Sequence, residues 1–321
     1  MSLRSFRLVT RSDFDGLVCA MLFREMDLID EIKFVHPKDM QDGKVEITSR
    51  DIITNLPYVA GCHLAFDHHS SEVERNGEKR ADHVIASSAA STARVVYDYY
   101  GGPRTFSGFS KDLMTAVDKA DSAQFTQEEV LNPTGWTLLN FLMDSRTGLG
   151  RFRQFRISNY ELMMTLVEQC RKLPIEAVLA LPDVRERVEV YFEHEAAFKE
   201  QLRRCSRVHG DLVELDLRNE ETIYAGNRFV IYAMFPQCRV SMHVMWGLKQ
   251  QNTVFAIGKS ILDRSSELDI GNLCLSYGGG GHKAAGTCQV ANDQAEETRL
   301  ELIAKILDGD SSRSEPRQNV A

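Results

Sequence analysis

Short apolar runs alternate with helical patterns through the first third of the chain. Residues 6–10 (Phe-Arg-Leu-Val-Thr) read as a strand and the acidic stretch 11–16 as a turn. Residues 17–26, with apolar positions at helical spacing, read as a helix. Further runs at 32–35, 52–53 and 63–66 read as the second, third and fourth strands. Strands alternating with helices predict a mostly parallel sheet, and such sheets bind ligands beyond the carboxyl ends of their strands. Asp13, Asp15, Asn55, Asp67, His68 and His69 all fall at that end. That coincidence is the main pointer to a functional site.

Residues 72–86 are polar and charged and predict a loop. The Ser-rich segment from Ser87 opens a helix that runs to Tyr100 and stops at Gly101-Gly102-Pro103. The first-turn N–H groups of that helix suit an anion, or a serine simply caps them. A helix over 113–120 places Asp121 just past its apolar stretch. After an apolar run at 138–143, Arg146, Arg151, Arg153 and Arg156 form either a solvated face or a phosphate-facing patch. Helices broken by Pro174 and Pro182 fill 159–207, and from Val208 strand patterns appear at 212–217, 229–234, 240–245 and 253–257. The expected division is a first domain at 1–183, a helical connector at 184–207, a second, smaller α/β domain at 208–308 and a disordered tail at 309–321. Gly278, Gly279, Gly280 and Gly281, followed by His282 and Lys283, let backbone N–H groups crowd around an anion at a predicted helix start, or form a flexible turn. Gly258-Lys259-Ser260 is not a Walker loop, because Thr253 stands where that motif needs its first glycine.

A length of 321 residues suits two medium domains. With 43% hydrophobic and 26% charged residues the chain has an ordinary globular composition. A net charge of −8 argues against a broad basic face for long duplex nucleic acid and leaves room for a local cationic pocket. The seven cysteines include no C-x-x-C pair and read as buried, reduced thiols. A strand starting at Phe6 leaves no signal peptide to be expected, and no apolar run reaches membrane-spanning length. A cytoplasmic location is the expectation.

Asp67-His68-His69 closes the fourth strand, and a carboxylate beside imidazoles is divalent-metal chemistry. Asp13 and Asp15 alone would be solvated acids, Asp121 a helix-end residue and His282 a surface residue. Their joint occurrence makes them candidate ligands. His36, His83, His194, His209 and His243 lack such company and are expected to be structural or exposed.

With these residues in hand, the sequence resembles the DHH-family phosphoesterases of the two-domain type, a DHH domain followed by a DHHA1 domain. Asp13-Phe14-Asp15-Gly16 is similar to that family's first motif and Asp67-His68-His69 to its naming motif. Asp121-Ser122-Ala123-Gln124-Phe125 is similar to the motif supplying a metal-binding Asp, and 279–286 to the glycine-histidine motif of DHHA1. The resemblance implies manganese at the strand ends, and a DHHA1 domain that closes over a cleft and holds the substrate's phosphate or nucleotide. It implies hydrolysis of phosphoester or phosphoanhydride bonds in short oligonucleotides, pAp, cyclic dinucleotides, pyrophosphate or polyphosphate.

This chain departs from the pattern where the family usually has metal ligands: Arg11 and Val9 ahead of the first Asp, and Asn55 in place of a bridging Asp. Asp51 lies at the other end of its strand, roughly 13 Å from Asn55 at about 3.3 Å per residue. The implied ligand set is therefore Asp15, His68 and Asp121 with Asn55 as a neutral oxygen donor, and one Mn²⁺ is favoured over two. Arg11 either stands in for the second cation or marks a weakened catalyst that only binds its ligand. Asp13 is expected to orient the water or hold a weaker ion, Asp67 to support the histidines and His69 to contact the phosphoryl oxygen. Gly279, Gly280, Gly281, His282 and Lys283 are expected to bind a non-reacting phosphate. The expected activity is metal-dependent hydrolysis of a small phosphorylated substrate or short oligonucleotide, with an exopolyphosphatase-like activity or a non-catalytic binder as alternatives. A homodimer is allowed and no membrane partner is expected. A nuclease on long single strands is disfavoured by the acidic balance.

Overall fold

In the computed structural model, which describes residues 5–69, 72, 80–152 and 154–311, β1 (Phe6–Arg11) lies between β2 (Ile29–Val35) and β3 (Asp51–Thr54). β4 (Leu64–Asp67) and β5 (His83–Ile85) extend the sheet. Among the described residues its order is β2-β1-β3-β4-β5, and every pair is parallel. Both faces of a parallel sheet must be covered. On one side Val9, Val35, Ile53, Leu56, Cys62 and Ala65 pack with Met40 and the loop residues Val45, Ile47, Tyr58 and Val59. On the other lies the helix Phe14–Glu25, buried without interruption over residues 14–23. A helix apolar all round its circumference needs neighbours on all sides. It contacts β1 and β2 and the helices Thr92–Tyr99, Lys111–Asp121 and Asn159–Gln169.

The register aligns Thr10 with Thr54, Thr54 with Phe66, and Asp67 with Ile85. The residues that follow β1, β3 and β4 therefore emerge side by side. The chain leaves β1 for β2 on one side and returns to β3 on the other, so the strand order reverses there, which is where open α/β sheets bind ligands.

The described residues divide into two compact units. One runs to Phe125 and includes Pro133–Tyr191; the other holds Thr126–Asn132 and the residues from Phe192 onward. The division falls inside one continuous helix, Pro182–Cys205, whose first residue is the proline expected to break it. Proline is tolerated at a first helical position because its missing N–H has no intrahelical partner there anyway.

The second unit is built on a mixed sheet of β6 (Ser206–His209), β7 (Leu212–Asp216), β8 (Val240–Trp246), β9 (Thr253–Lys259), β10 (Gly280–His282) and β11 (Ala285–Val290). Its order is β10-β11-β9-β8-β7-β6, with β7 and β8 the one parallel pair among the described residues. Val240, Met242 and Val244 alternate onto one face. They form a core with Phe255, Ile257 and residues of the helices Ile270–Leu275 and Ala295–Ser311. His243 falls between them, and burial, with some help from Arg228, lowers its imidazole to about 4. An unfolded chain protonates this residue near 6.5, so its contribution to stability is complete above that pH and is lost as pH falls toward 4, by up to roughly 3 kcal/mol. His243→Gln is expected to abolish this acid-side loss, measured as urea midpoints near pH 5 against neutral pH.

Three expectations need correction. Residues 83–85, read as loop, are the edge strand β5; three residues are too few to show an alternation. Residues 229–234, read as a strand, hold the helix Val230–Met234. An unbroken apolar run fits either element, and the buried Asn227 decides it by accepting from Phe229 N at 2.9 Å, a side-chain turn that starts the coil. The glycine segment does not start a helix but forms the hairpin β10–β11. A Cβ at Gly279 would stand 2.2 Å from Thr287 O, and one at Gly281 2.3 Å from Ala285 O, so these glycines permit close backbone approach. Lys259, in the stretch excluded as a Walker loop, donates to Ser266 O and Leu268 O at 3.0 Å each and serves the fold. The seven cysteines are free and six are buried. Among the described residues no helix is long and apolar enough to cross a membrane. Residues 73–79 of the loop 72–86, Arg153 and the tail from 312 lie outside the described residues.

Candidate active site

The site begins where β1 passes almost directly into a helix. Asp13 caps the helix Phe14–Glu25, its Oδ1 accepting from Gly16 N at 2.9 Å. The turn is tight enough that a Cβ at Gly16 would lie 2.0 Å from the Arg11 carbonyl oxygen. Asp15, in the first helical turn, is buried and accepts from Thr92 N at 3.1 Å and Ala93 N at 2.8 Å. These are the first amides of the helix Thr92–Tyr99, which Ser91 caps through Arg94 N. Both readings of the Ser-rich helix start therefore meet: a serine caps it, and its first amides are taken up by the protein's own Asp15 carboxyl. Burial, followed by the charges of Asp121 and Asp13, pushes the Asp15 carboxyl up to about 8.

Asp121 ends the helix Lys111–Asp121. One turn earlier Asp118 accepts from Ser91 Oγ at 2.7 Å and from Arg94 Nη2 at 2.6 Å, which fixes this helix end against the start of the other. His68, just beyond β4, donates from Nδ1 to the Ala89 carbonyl at 3.1 Å, since that oxygen can only accept. In the neutral ring Nε2 then carries the lone pair. Burial opposes charging of this ring, but the carboxylates of Asp121 and Asp15 outweigh it and push it up to about 9. Asp67 is buried and gathers His68 N (2.7 Å), His69 N (3.0 Å) and His69 Nδ1 (2.6 Å) on one oxygen. Burial works against its ionisation, yet His69 and the backbone amides hold its carboxyl below the usual range. Asp67 thus supports the His69 ring and both backbone amides, while Ala89 orients His68.

Asn55 follows β3 in the left-handed region, at φ 54°, and is buried. Its Nδ2 donates to both oxygens of Asp13, at 3.0 and 3.3 Å. Arg11 Nε reaches Asp13 Oδ2 at 3.0 Å. With Gly16 N, the carboxylate of Asp13 carries four donor contacts, as many as its lone pairs accommodate. Burial raises the Asp13 carboxyl, with Arg11 pulling the other way.

One ligand atom each from Asp15, His68 and Asp121 lie within 4.8 Å of one another. A carboxylate pair with an imidazole suits a hard to borderline divalent cation. Two buried atoms support the fit. His68 Nε2 stands 2.7 Å from Asp121 Oδ2, and among the described residues Asn55 Oδ1 has no hydrogen-bond partner. An unpartnered amide oxygen and an imidazole nitrogen among clustered carboxylates are what a cation would satisfy.

The arginine run separates. Arg146 pairs with Asp144 at 2.7 Å and acts electrostatically on Asp13 and Asp121, so it joins the acidic centre. Arg156 pairs with Asp183 at 3.6 Å, away from it. Sequence reasoning did not single out Arg146, and its place in an arginine cluster is the only signal it gave. His36 and Tyr160 also come to the strand ends, lining a cavity with Arg11. Gly279–His282 and Lys283 lie in the second unit at the β10–β11 hairpin. His83 stacks on Tyr58, His194 accepts from Ala225 N and His209 pairs with Glu214, all structural contacts.

No protein-family model matches the sequence, and a search of curated proteins gives no match. Among solved structures the chain is similar to the pGpG-specific phosphodiesterase PggH from Vibrio cholerae, at 60% identity and a TM-score of 0.81, over 95% of this chain and 100% of that one. It is also similar to an exopolyphosphatase-related protein from Bacteroides fragilis, at 12% identity and a TM-score of 0.51, over 94% of this chain and 92% of that one. The second likeness is one of fold. The first, nearly end to end and with the acidic and histidine motifs assembled as described, shows that this chain belongs to the DHH-family phosphoesterases, hydrolases of small phosphorylated substrates.

Proposed function

We propose that the protein hydrolyses the internal phosphodiester of linear dinucleotides of the pGpG type, water cleaving the P–O3′ bond to give two molecules of GMP. The reading is carried by the convergence of Asp15, His68 and Asp121 in a chain 60% identical, over almost its full length, to a pGpG-specific phosphodiesterase. Those three side chains, with Asn55 Oδ1 nearby in role, would hold one Mn²⁺, whose Lewis acidity would neutralise phosphoryl charge and acidify water.

The remaining residues bind the substrate or position those that do. Arg11, anchored through Nε by Asp13, keeps its Nη groups for a non-bridging oxygen of the scissile phosphate, a bidentate match that a guanidinium makes well. Because Asp13 is saturated by Arg11, Asn55 and Gly16, its role is to anchor that guanidinium rather than to hold a second cation. His69, oriented through Nδ1 by Asp67, presents its other nitrogen toward the phosphoryl group and the departing oxygen. Arg146 adds a second positive charge beside Asp13. Gly279, Gly280, Gly281, His282 and Lys283 are assigned to a non-reacting phosphate.

The test is incubation with Mn²⁺ and a panel of pGpG, pApA, pAp, pyrophosphate and short polyphosphate, with metal content measured on the same preparation. The expected result is GMP from pGpG, with kcat/KM at least about tenfold above that for any other member, and one tightly held Mn²⁺ per chain. Two tightly held ions would refute the stand-in role of Arg11. Tight pGpG binding without turnover would leave a binder in place of an enzyme.

A further inference from the structure

A cavity of about 330 Å³ opens at the carboxyl ends of β1 and β2, with all its lining residues in the first unit. That volume lies at the small end of ligand sites, which run from roughly 300 to 1,000 Å³. Arg11 forms part of its wall, and the same side chain pairs with Asp13. The cavity is therefore one side chain away from the acidic centre. Its walls are aromatic and sulfur-rich. Phe34 and Tyr160 meet edge to face at 5.9 Å, and Tyr160 Oη is tied to the Ile32 carbonyl at 3.1 Å, so the ring is held in place before any ligand arrives. Met143 and Met163 complete the apolar surface, and thioether side chains adapt to flat aromatic faces.

We propose that this cavity is the base pocket for one guanine of the dinucleotide. The inference rests on the reading above: a phosphodiester placed at the acidic centre carries a nucleoside on each side, and one base then falls a sugar's length from Arg11. Preference for guanine follows from Asn159, which also lines the cavity. Its Oδ1 accepts from the buried Arg187 Nη2 at 3.3 Å. With that oxygen turned toward Arg187, the amide's N–H donors are the groups left for a ligand. Guanine presents two neighbouring acceptors, O6 and N7, whereas adenine sets a donor at N6 beside its N7 acceptor. A donating Asn159 N–H thus matches guanine at O6 and meets a like donor at adenine N6. A purine stacked on Tyr160 with O6 at Asn159 uses each feature of the pocket.

Tyr160 is half exposed and Asn159 exposed, so both can be changed with little risk to the core. The experiment compares wild type, Tyr160→Ala and Asn159→Ala on pGpG, pApA and the base-free diester bis(p-nitrophenyl) phosphate, all with Mn²⁺. Tyr160→Ala is expected to lower kcat/KM for pGpG relative to the base-free diester by about tenfold or more, mainly through KM. Asn159→Ala is expected to narrow the pGpG-to-pApA ratio by about tenfold, the size of one hydrogen bond to a buried acceptor. If wild type cleaves pGpG and neither ratio moves in either variant, the base pocket is overturned while the dinucleotide reading stands. If wild type cleaves only the base-free diester, the dinucleotide reading falls and takes the pocket with it. Equal losses on all three substrates would show a structural role for these residues and also overturn the pocket.

Discussion

Asp121→Ala is expected to lower Mn²⁺-dependent pGpG hydrolysis by about a thousandfold or more, because it removes one of three convergent ligands from a centre with few to spare. The same change is expected to leave the metal-free protein as stable as wild type, or slightly more so. A carboxylate at the end of the helix Lys111–Asp121 faces the negative end of the helix dipole and opposes the charges on Asp15 and Asp13. Against these stand His68 at 2.7 Å and the more distant charge of Arg146. A side chain placed against its local electrostatics is understandable if a cation belongs between it and its neighbours. Thermal unfolding with EDTA and with Mn²⁺ separates the two effects. Wild type should be stabilised by the ion and Asp121→Ala much less so, by mass action on a weakened site. Activity within about tenfold of wild type would remove Asp121 from the site.

The second large effect is expected at a residue that touches no substrate. Gly16→Ala should destabilise the protein by about 3 kcal/mol or more, because the new Cβ meets backbone at 2.0 Å and the Thr10 hydroxyl at 2.8 Å. Backbone cannot move aside as a side-chain tip can, so the turn that carries Arg11, Asp13 and Asp15 must shift. Urea unfolding measures the loss. In whatever fraction stays folded, Mn²⁺ binding should be weakened as well, since the shifted turn also carries Asp15. A variant with wild-type stability and metal affinity would mean that the strand-to-helix turn is looser than its geometry implies.

The acidic and histidine residues were legible in the sequence because parallel strands all end on the same side. A pattern that locates strand ends therefore locates the residues after them, as for Asp13, Asn55 and Asp67. What could not be read depends on contacts between distant segments. Nothing in the local sequence says that Asp15 will fill the amide cup of a helix 77 residues away, or that Asn55 and Arg11 will share one carboxylate. Arg146 has an ordinary surface pattern and reaches the acidic centre only through where the fold delivers it. The short elements were missed for a different reason. β5 and the helix Val230–Met234 are set by an edge pairing and by a single buried Asn, and neither leaves a periodic trace. The glycine hairpin was misassigned because a glycine run permits several backbones, and the close approach to Thr287 and Ala285 selects among them.

The left-handed backbone at Asn55 has an evolutionary consequence. Asparagine and aspartate are among the few non-glycine residues that settle readily in that conformation. Their codons differ by a single nucleotide. At this position a lineage can therefore exchange a neutral amide for a charge in one step and with no cost to the main chain. A change in how many cations the strand ends retain would then be separated from this sequence by one point mutation.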